Sequence, residues 1–214
     1  MKKFIVLTIA VMGIGMFTCP SVFALSFNFA DIPPDNGINL SSSFSGEMVE
    51  YNDQVLFRIF NNVASPSTIF IGKVFFDFEP DDLLTLIGFD ITHSVGDVSF
   101  VPKTGGTFPQ GSNLDPKFLF DVQQVADNGG TDRQGIDDGE VGAFLFAGDF
   151  VEAEAALLSG DLRVGIHAQG IPFGEGSDSY VSTAPVPEPS TILLMGAGLL
   201  GLVGFNRKRF SKKS

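Results

Sequence analysis

The strongest constraint on this chain is a period of two. Leu25, Phe27 and Phe29 alternate with Ser26, Asn28 and Ala30. Further on, Val74, Phe76 and Phe78 share one parity, while Lys73, Phe75 and Asp77 share the other. Successive side chains of a strand point to opposite faces, so such alternation specifies strands with one face buried. Residues 54–60 and 68–78 are both rich in β-branched and aromatic side chains, and the loop-like 61–67 between them predicts a hairpin. Further strands are expected at 83–91, 97–101, 117–125, 142–147 and 162–171, with glycine, proline and asparagine clusters between them. One helix interrupts the series. Asp149 is its N-cap with Glu152 as capping-box partner, Phe150, Ala153 and Leu157 fall on one face, and Gly160 is a C′ residue. There is no alternating strand–helix rhythm, which excludes a parallel α/β sheet. The expected fold is all-β: an antiparallel β-sandwich or jelly-roll-like body with one short helix.

The two ends read differently from this body. Met1-Lys2-Lys3 precedes a nearly unbroken apolar run from Phe4 to Phe17, with Thr8 its lone polar residue. Val22 and Ala24 place small residues where signal peptidase requires them, so 1–24 is expected to be a signal peptide cut after Ala24. At the other end, 192–205 carries no charge; its 14 residues would make a helix of about 21 Å. That is short against a bilayer core of about 30 Å. It would fit by thinning the membrane or by letting Arg207, Lys208 and Arg209 snorkel to the interface. The basic tail at 206–214 is expected to stay cytoplasmic. The chain thus divides into 1–24, an exported body at 25–184, and a terminal unit at 185–214.

Pro187-Glu188-Pro189, the apolar segment and the basic cluster, in that order, resemble the PEP-CTERM sorting signal of Gram-negative bacteria. The two prolines favour an extended backbone, the state a protease cleft accepts. The resemblance implies recognition by exosortase, processing near the motif and release or re-attachment at the cell surface. It also implies company with exopolysaccharide or biofilm functions, and an inner-membrane-anchored precursor held by the apolar helix. The run from Gly139 to Val181 loosely resembles body segments of such proteins and transfers no active site. Ser177 to Thr183 reads as a flexible spacer leading into Ala184-Pro185.

Charge narrows the function classes. The body holds six basic against 24 acidic side chains, hence a net charge of −18, where the whole chain shows −12. A surface of that sign repels nucleic acid and anionic lipid, so no nucleic-acid partner is expected. Cys19, the single cysteine, lies in the signal segment, which leaves the body without disulfides, thiol nucleophiles or cysteine metal sites. His93 and His167 are the only histidines, and no Gly-x-Ser-x-Gly elbow exists. His167 is expected on a strand, sharing a face with Gln169 and bonded locally to backbone. The densest acidic stretch runs from 127 to 140. There Asp127, Asp132, Asp137, Asp138 and Glu140 are candidate calcium ligands, although the donor spacing is not that of an EF-hand and Arg133 interrupts it. With no Trp and only Tyr51 and Tyr180, the aromatic content is Phe, which reads as core. The expectation is a non-enzymatic structural or interaction component of the envelope or exopolysaccharide layer, without a cofactor. A calcium-assisted carbohydrate-binding module and a secreted hydrolase are the alternatives.

Overall fold

The computed structural model describes residues 24–33, 38–127, 134–172 and 176–185. Residues 1–23 of the signal peptide, with Val22, the sorting motif at 187–189, the apolar segment, the basic tail and Asp132 lie outside them, and Ala24 is the first residue described. No helix among the described residues is long and apolar enough to cross a membrane.

Ten strands and one helix follow in order: β1 (Ala24–Asp31), β2 (Phe44–Tyr51), β3 (Gln54–Asn61), β4 (Phe70–Phe78), β5 (Thr85–Phe89), β6 (Phe100–Pro102), β7 (Val122–Ala126), β8 (Val141–Ala147), α1 (Phe150–Ser159), β9 (Leu162–Ile171) and β10 (Gly176–Ser182). The strand order is β5-β8-β3-β2-β1-β10-β9-β4-β7-β6, and each pairing is antiparallel. β1 is the corner. Its first half, Ala24 to Asn28, pairs with β2, and Phe29 to Asp31 pair with β10. The sheet thereby folds into two facing layers, as the alternation requires.

The core forms between those layers. Phe76 of β4 meets Phe57 of β3 at 5.1 Å and Phe146 of β8 at 4.7 Å between ring centroids, both edge-on. Such pairs add about 0.5–1.5 kcal/mol each beyond the area they bury. Val74, Phe76 and Phe78 lie in this core, and Phe75 belongs to a separate cluster on the outer face, as their parity predicts. β2 turns Phe44, Gly46 and Met48 inward. Position 46 must be small: a Cβ there would stand 2.3 Å from the Phe27 ring.

The hairpin expected between 54–60 and 68–78 does not form. β3 pairs with β2 and β8, and β4 pairs with β9 and β7. The two strands face one another across the core instead of lying side by side. Asn61 anchors the crossing, since its buried Nδ2 donates to the carbonyls of Ile69 and Ile136 at 3.1 and 3.0 Å. The expected spacer at 177–183 is also corrected, because β10 occupies 176–182 as an inner strand between β1 and β9. Its serines and aspartate are accommodated by hydrogen bonds. Ser182 Oγ accepts from the Val164 amide at 2.8 Å, and Asp178 Oδ1 accepts from the Ser179 amide at 2.8 Å. Tyr180 is fully buried against Phe44. Of the strand expected at 117–125, the first five residues loop outward and β7 starts at Val122.

The helix forms as its caps dictate. Asp149 Oδ1 accepts from the amides of Val151 and Glu152 at 2.8 and 3.0 Å. Gly160 closes the helix at φ 87°, a left-handed conformation that costs glycine little. Phe150, Ala153, Ala156 and Leu157 are buried.

Candidate functional site

The alternation that builds the core leaves Phe75 on the outer face of β4. A single loop, 103–121, covers it. Phe108 packs on Phe75 at 4.8 Å and on Phe118 at 4.5 Å, while Phe120 meets Phe75 at 5.1 Å. Gly165 of β9 makes room for this cluster, since a Cβ there would stand 2.7 Å from the tip of the Phe108 ring. Ile32 and Val181 complete the patch.

Polar groups pin the loop. Arg163 of β9 forms an ion pair with Asp77 and donates to the carbonyls of Pro116 and Lys117, both at 2.7 Å. Its guanidinium also lies 5.2 Å from the Phe118 centroid. The Asp121 amide donates to the Phe76 carbonyl, and Asp121 Oδ2 accepts from the Phe78 amide, both at 2.9 Å. Burial pushes the Asp121 carboxyl up, aided by the negative charges of Asp77 and Asp81. Gln110, at φ 62°, sends Oε1 to the Ser179 amide at 3.1 Å.

Between 106–112 and 117–120 this loop leaves an open groove of about 540 Å³. The buried Phe108 and Phe118 form its floor, Lys117 and the half-buried Phe120 line it, and Leu119 is 74% exposed. Gln123 of β7 lies beneath the same loop. Its Oε1 is buried without a hydrogen-bond partner among the described residues and sits 3.5 Å from where a Cβ on Gly106 would be. The groove itself combines the apolar side chains of Leu119 and Phe120 with the hydroxyls of Thr107 and Ser112 and the cation of Lys117, whereas Gln123 is buried below it.

Other candidate groups lie elsewhere. His167 is on β9 and hydrogen-bonds the Asp178 backbone, as expected, and its Nδ1 also lies 3.0 Å from Ser179 Oγ. Ser179 is fully buried and His167 is 8% exposed. Burial first, and then the nearby Lys73 charge, lower the His167 pKa to about 4. The serine–histidine pair is thus a sealed, neutral hydrogen bond and not an accessible nucleophile with its base. His93 lies in the turn after β5, with Nδ1 2.7 Å from Asp90 Oδ2 and its ring edge-on against Tyr51 at 4.5 Å. Burial raises the Asp90 carboxyl, but hydrogen bonds from His93 and the Thr92 amide outweigh it and hold the group below its usual range.

Of the acidic stretch, Asp137, Asp138 and Glu140 fall in one turn, and Asp127 stands at the end of β7. Glu140 is already committed. Its Oε1 accepts from the Asp97 amide and its Oε2 from the Asp137 amide, both at 2.9 Å. Its carboxylate fastens the 95–97 segment to the turn, and Gly96 gives it space, since a Cβ there would stand 2.1 Å from Oε1. Among the described residues no group of three or more His, Cys, Asp or Glu side chains is placed to hold a metal ion.

A family model of the PEP-CTERM protein-sorting motif matches residues 185–208. The chain carries a PEP-CTERM sorting motif. The match spans Pro187-Glu188-Pro189 and the apolar segment, and it marks a secreted, cell-surface-targeted protein sorted by exosortase. No curated protein and no solved structure matches the chain. The sorting motif assigns a destination to the body, and the groove is a feature of the body alone. The groove was hidden in the sequence because Lys117-Phe118-Leu119-Phe120-Asp121 imitates a strand. Pro116 before it and Pro109 further upstream were the available signal that this stretch is a loop.

Proposed function

We propose that the sorted body is a non-enzymatic interaction component of the envelope or exopolysaccharide layer, with the groove of loop 103–121 as its contact face for polysaccharide. The precursor reaches that location by signal peptidase cleavage after Ala24. It is held by the apolar 192–205 segment in the inner membrane until exosortase acts. The observation that carries the reading is the groove's mixed lining. Sugars offer an apolar C–H face together with hydroxyl donors. Leu119 and Phe120 suit the former, and the hydroxyls of Thr107 and Ser112 suit the latter. Lys117 adds a cation suited to acidic sugars.

The test is a polysaccharide array, run with and without calcium, on the wild-type chain and on Phe120→Ser. Retention on one polysaccharide class that Phe120→Ser abolishes supports the reading. Retention that the variant leaves unchanged removes the groove from it. Retention strictly dependent on calcium moves the reading to a calcium-assisted carbohydrate-binding module, with Asp127, Asp137 and Asp138 as the residues to substitute. Turnover in a broad ester and glycoside screen would replace it with a secreted hydrolase.

A further inference from the structure

Helix α1 has two apolar faces, and the fold uses one. Phe150, Ala153, Ala156 and Leu157 are buried beneath it. On the outside Val151, Ala155 and Leu158 are exposed, Val151 at 69% and Leu158 at 45%. Their i, i+4, i+7 spacing places them on one stripe about 10 Å long. Nothing in the packing of the body requires large aliphatic side chains there.

Beside the stripe a groove of about 620 Å³ runs between α1 and the turn that follows β4. Pro80, Leu83, Ala155 and Ala156 supply its apolar surface. Glu79, Asp82, Glu152 and Asp161 supply four carboxylates, and no basic side chain among the described residues lines it. The charge pattern selects the occupant. A helix that lies on a membrane rims its apolar stripe with Lys and Arg, so the acidic rim here argues against lipid. A second copy of a body with a net charge of −18 would bring like charge to like. The described carboxylates do not gather three around any point that could hold a metal ion. Complementary chemistry is a chain segment that carries its own apolar stripe and cations on either side of it.

We propose that this face of α1 docks a cationic amphipathic helix of another protein. The apolar stripe of the partner packs on Val151, Ala155 and Leu158, and its Lys or Arg side chains reach Glu79, Asp82, Glu152 and Asp161. This surface is separate from the polysaccharide groove, and neither proposal rests on the other.

The probe is a synthetic helical peptide of Leu and Lys with Leu at i, i+4 and i+7. It is titrated against the full chain in zwitterionic nanodiscs, with empty nanodiscs subtracted. A scrambled peptide of the same composition, whose Leu residues share no face, is the control for plain attraction to an acidic body. Binding is expected to weaken about tenfold with the scrambled peptide and with Leu158→Ser. Val151→Ser repeats the test at a second exposed position, so a fault peculiar to one variant does not decide the outcome. Glu152→Gln is expected to flatten the salt dependence. Equal binding of the scrambled peptide, or full affinity in both serine variants, overturns the proposal.

Discussion

Phe75 and Phe76 are neighbours on β4, and both are fully buried, yet they are buried in different ways. Phe76 is enclosed by strands of the facing layer, with Phe57, Phe144 and Phe146 around it. Phe75 is covered by one loop, through Phe108 and Phe120. The first face is closed by two hydrogen-bonded sheets. The second is closed by a segment held mainly by Arg163, Asp121 and Gln110. A strand with one apolar face and a single Phe between Lys73 and Asp77 on the other thus supplies the core on one side and the floor of a loop-covered cluster on the other. The core accounts for the fold, and the loop-covered side is where recognition has room to vary.

The comparison breaks most readily at Phe76. Phe76→Ala should cost about 3–5 kcal/mol, because neighbouring rings in two sheets cannot collapse into the cavity. Phe108→Ala on the other side should cost about 2 kcal/mol, since the loop can settle onto Phe75. Denaturant unfolding measures both. Equal losses would show that the loop is as rigid a lid as the opposing sheet. Hydrogen exchange sharpens the point, with amides of 103–121 expected to open well below the global free energy in Phe108→Ala and those of β4 not.

A pH effect probes the same face one row along. Lys73 of β4, His167 of β9 and Ser179 of β10 lie side by side there. The imidazole titrates near 4 in the fold against 6.5 unperturbed. Between those values the unfolded chain binds a proton that the folded one refuses. Stability therefore falls as pH drops through that window, by about 3 kcal/mol in all, and is fully present above it. Asp121 acts in the opposite sense. Its carboxyl is raised, so the fold holds a proton that the unfolded chain has lost, and stability declines as pH rises through its own shifted range. Urea midpoints measured from pH 7 to 4 test the histidine, with His167→Gln expected to flatten the profile. A slope unchanged by that variant would assign the acid sensitivity to other groups.

How much of this was legible follows from what the residues report. Period two at 73–78 gave the two faces of β4 correctly, because it is a property of one strand. Asp149, Glu152 and Gly160 gave the helix, because caps act over four residues. The partner of each strand was not legible. Residues 61–67 look like a hairpin loop, and only Asn61, by bonding two distant carbonyls, turns them into a crossing. β10 is not legible as a strand, because Ser177, Asp178 and Ser179 resemble a linker until their partners on the neighbouring strand are known. The structural role of Glu140 is hidden in the sequence for the same reason, since the amides it accepts from lie 3 and 43 residues away. The groove combined both difficulties: a strand-like alternation at 117–121 and a binding surface made by tertiary placement.

The smallest expected effect on stability is the one that tests what the loop-covered face is for. Leu119 is 74% exposed and lines the groove without joining the Phe75 cluster. Leu119→Ser removes little buried area, so its change in unfolding free energy should stay within about 0.5 kcal/mol. If the groove receives polysaccharide, the same variant should lose retention on the polymer that binds the wild-type chain, because the exposed side chain borders the site. A stable variant with impaired retention would separate recognition from folding on two faces of one strand. A variant that loses stability and retention together would show that the loop and its groove are one structural unit, and that the division drawn between Phe75 and Phe76 is misplaced.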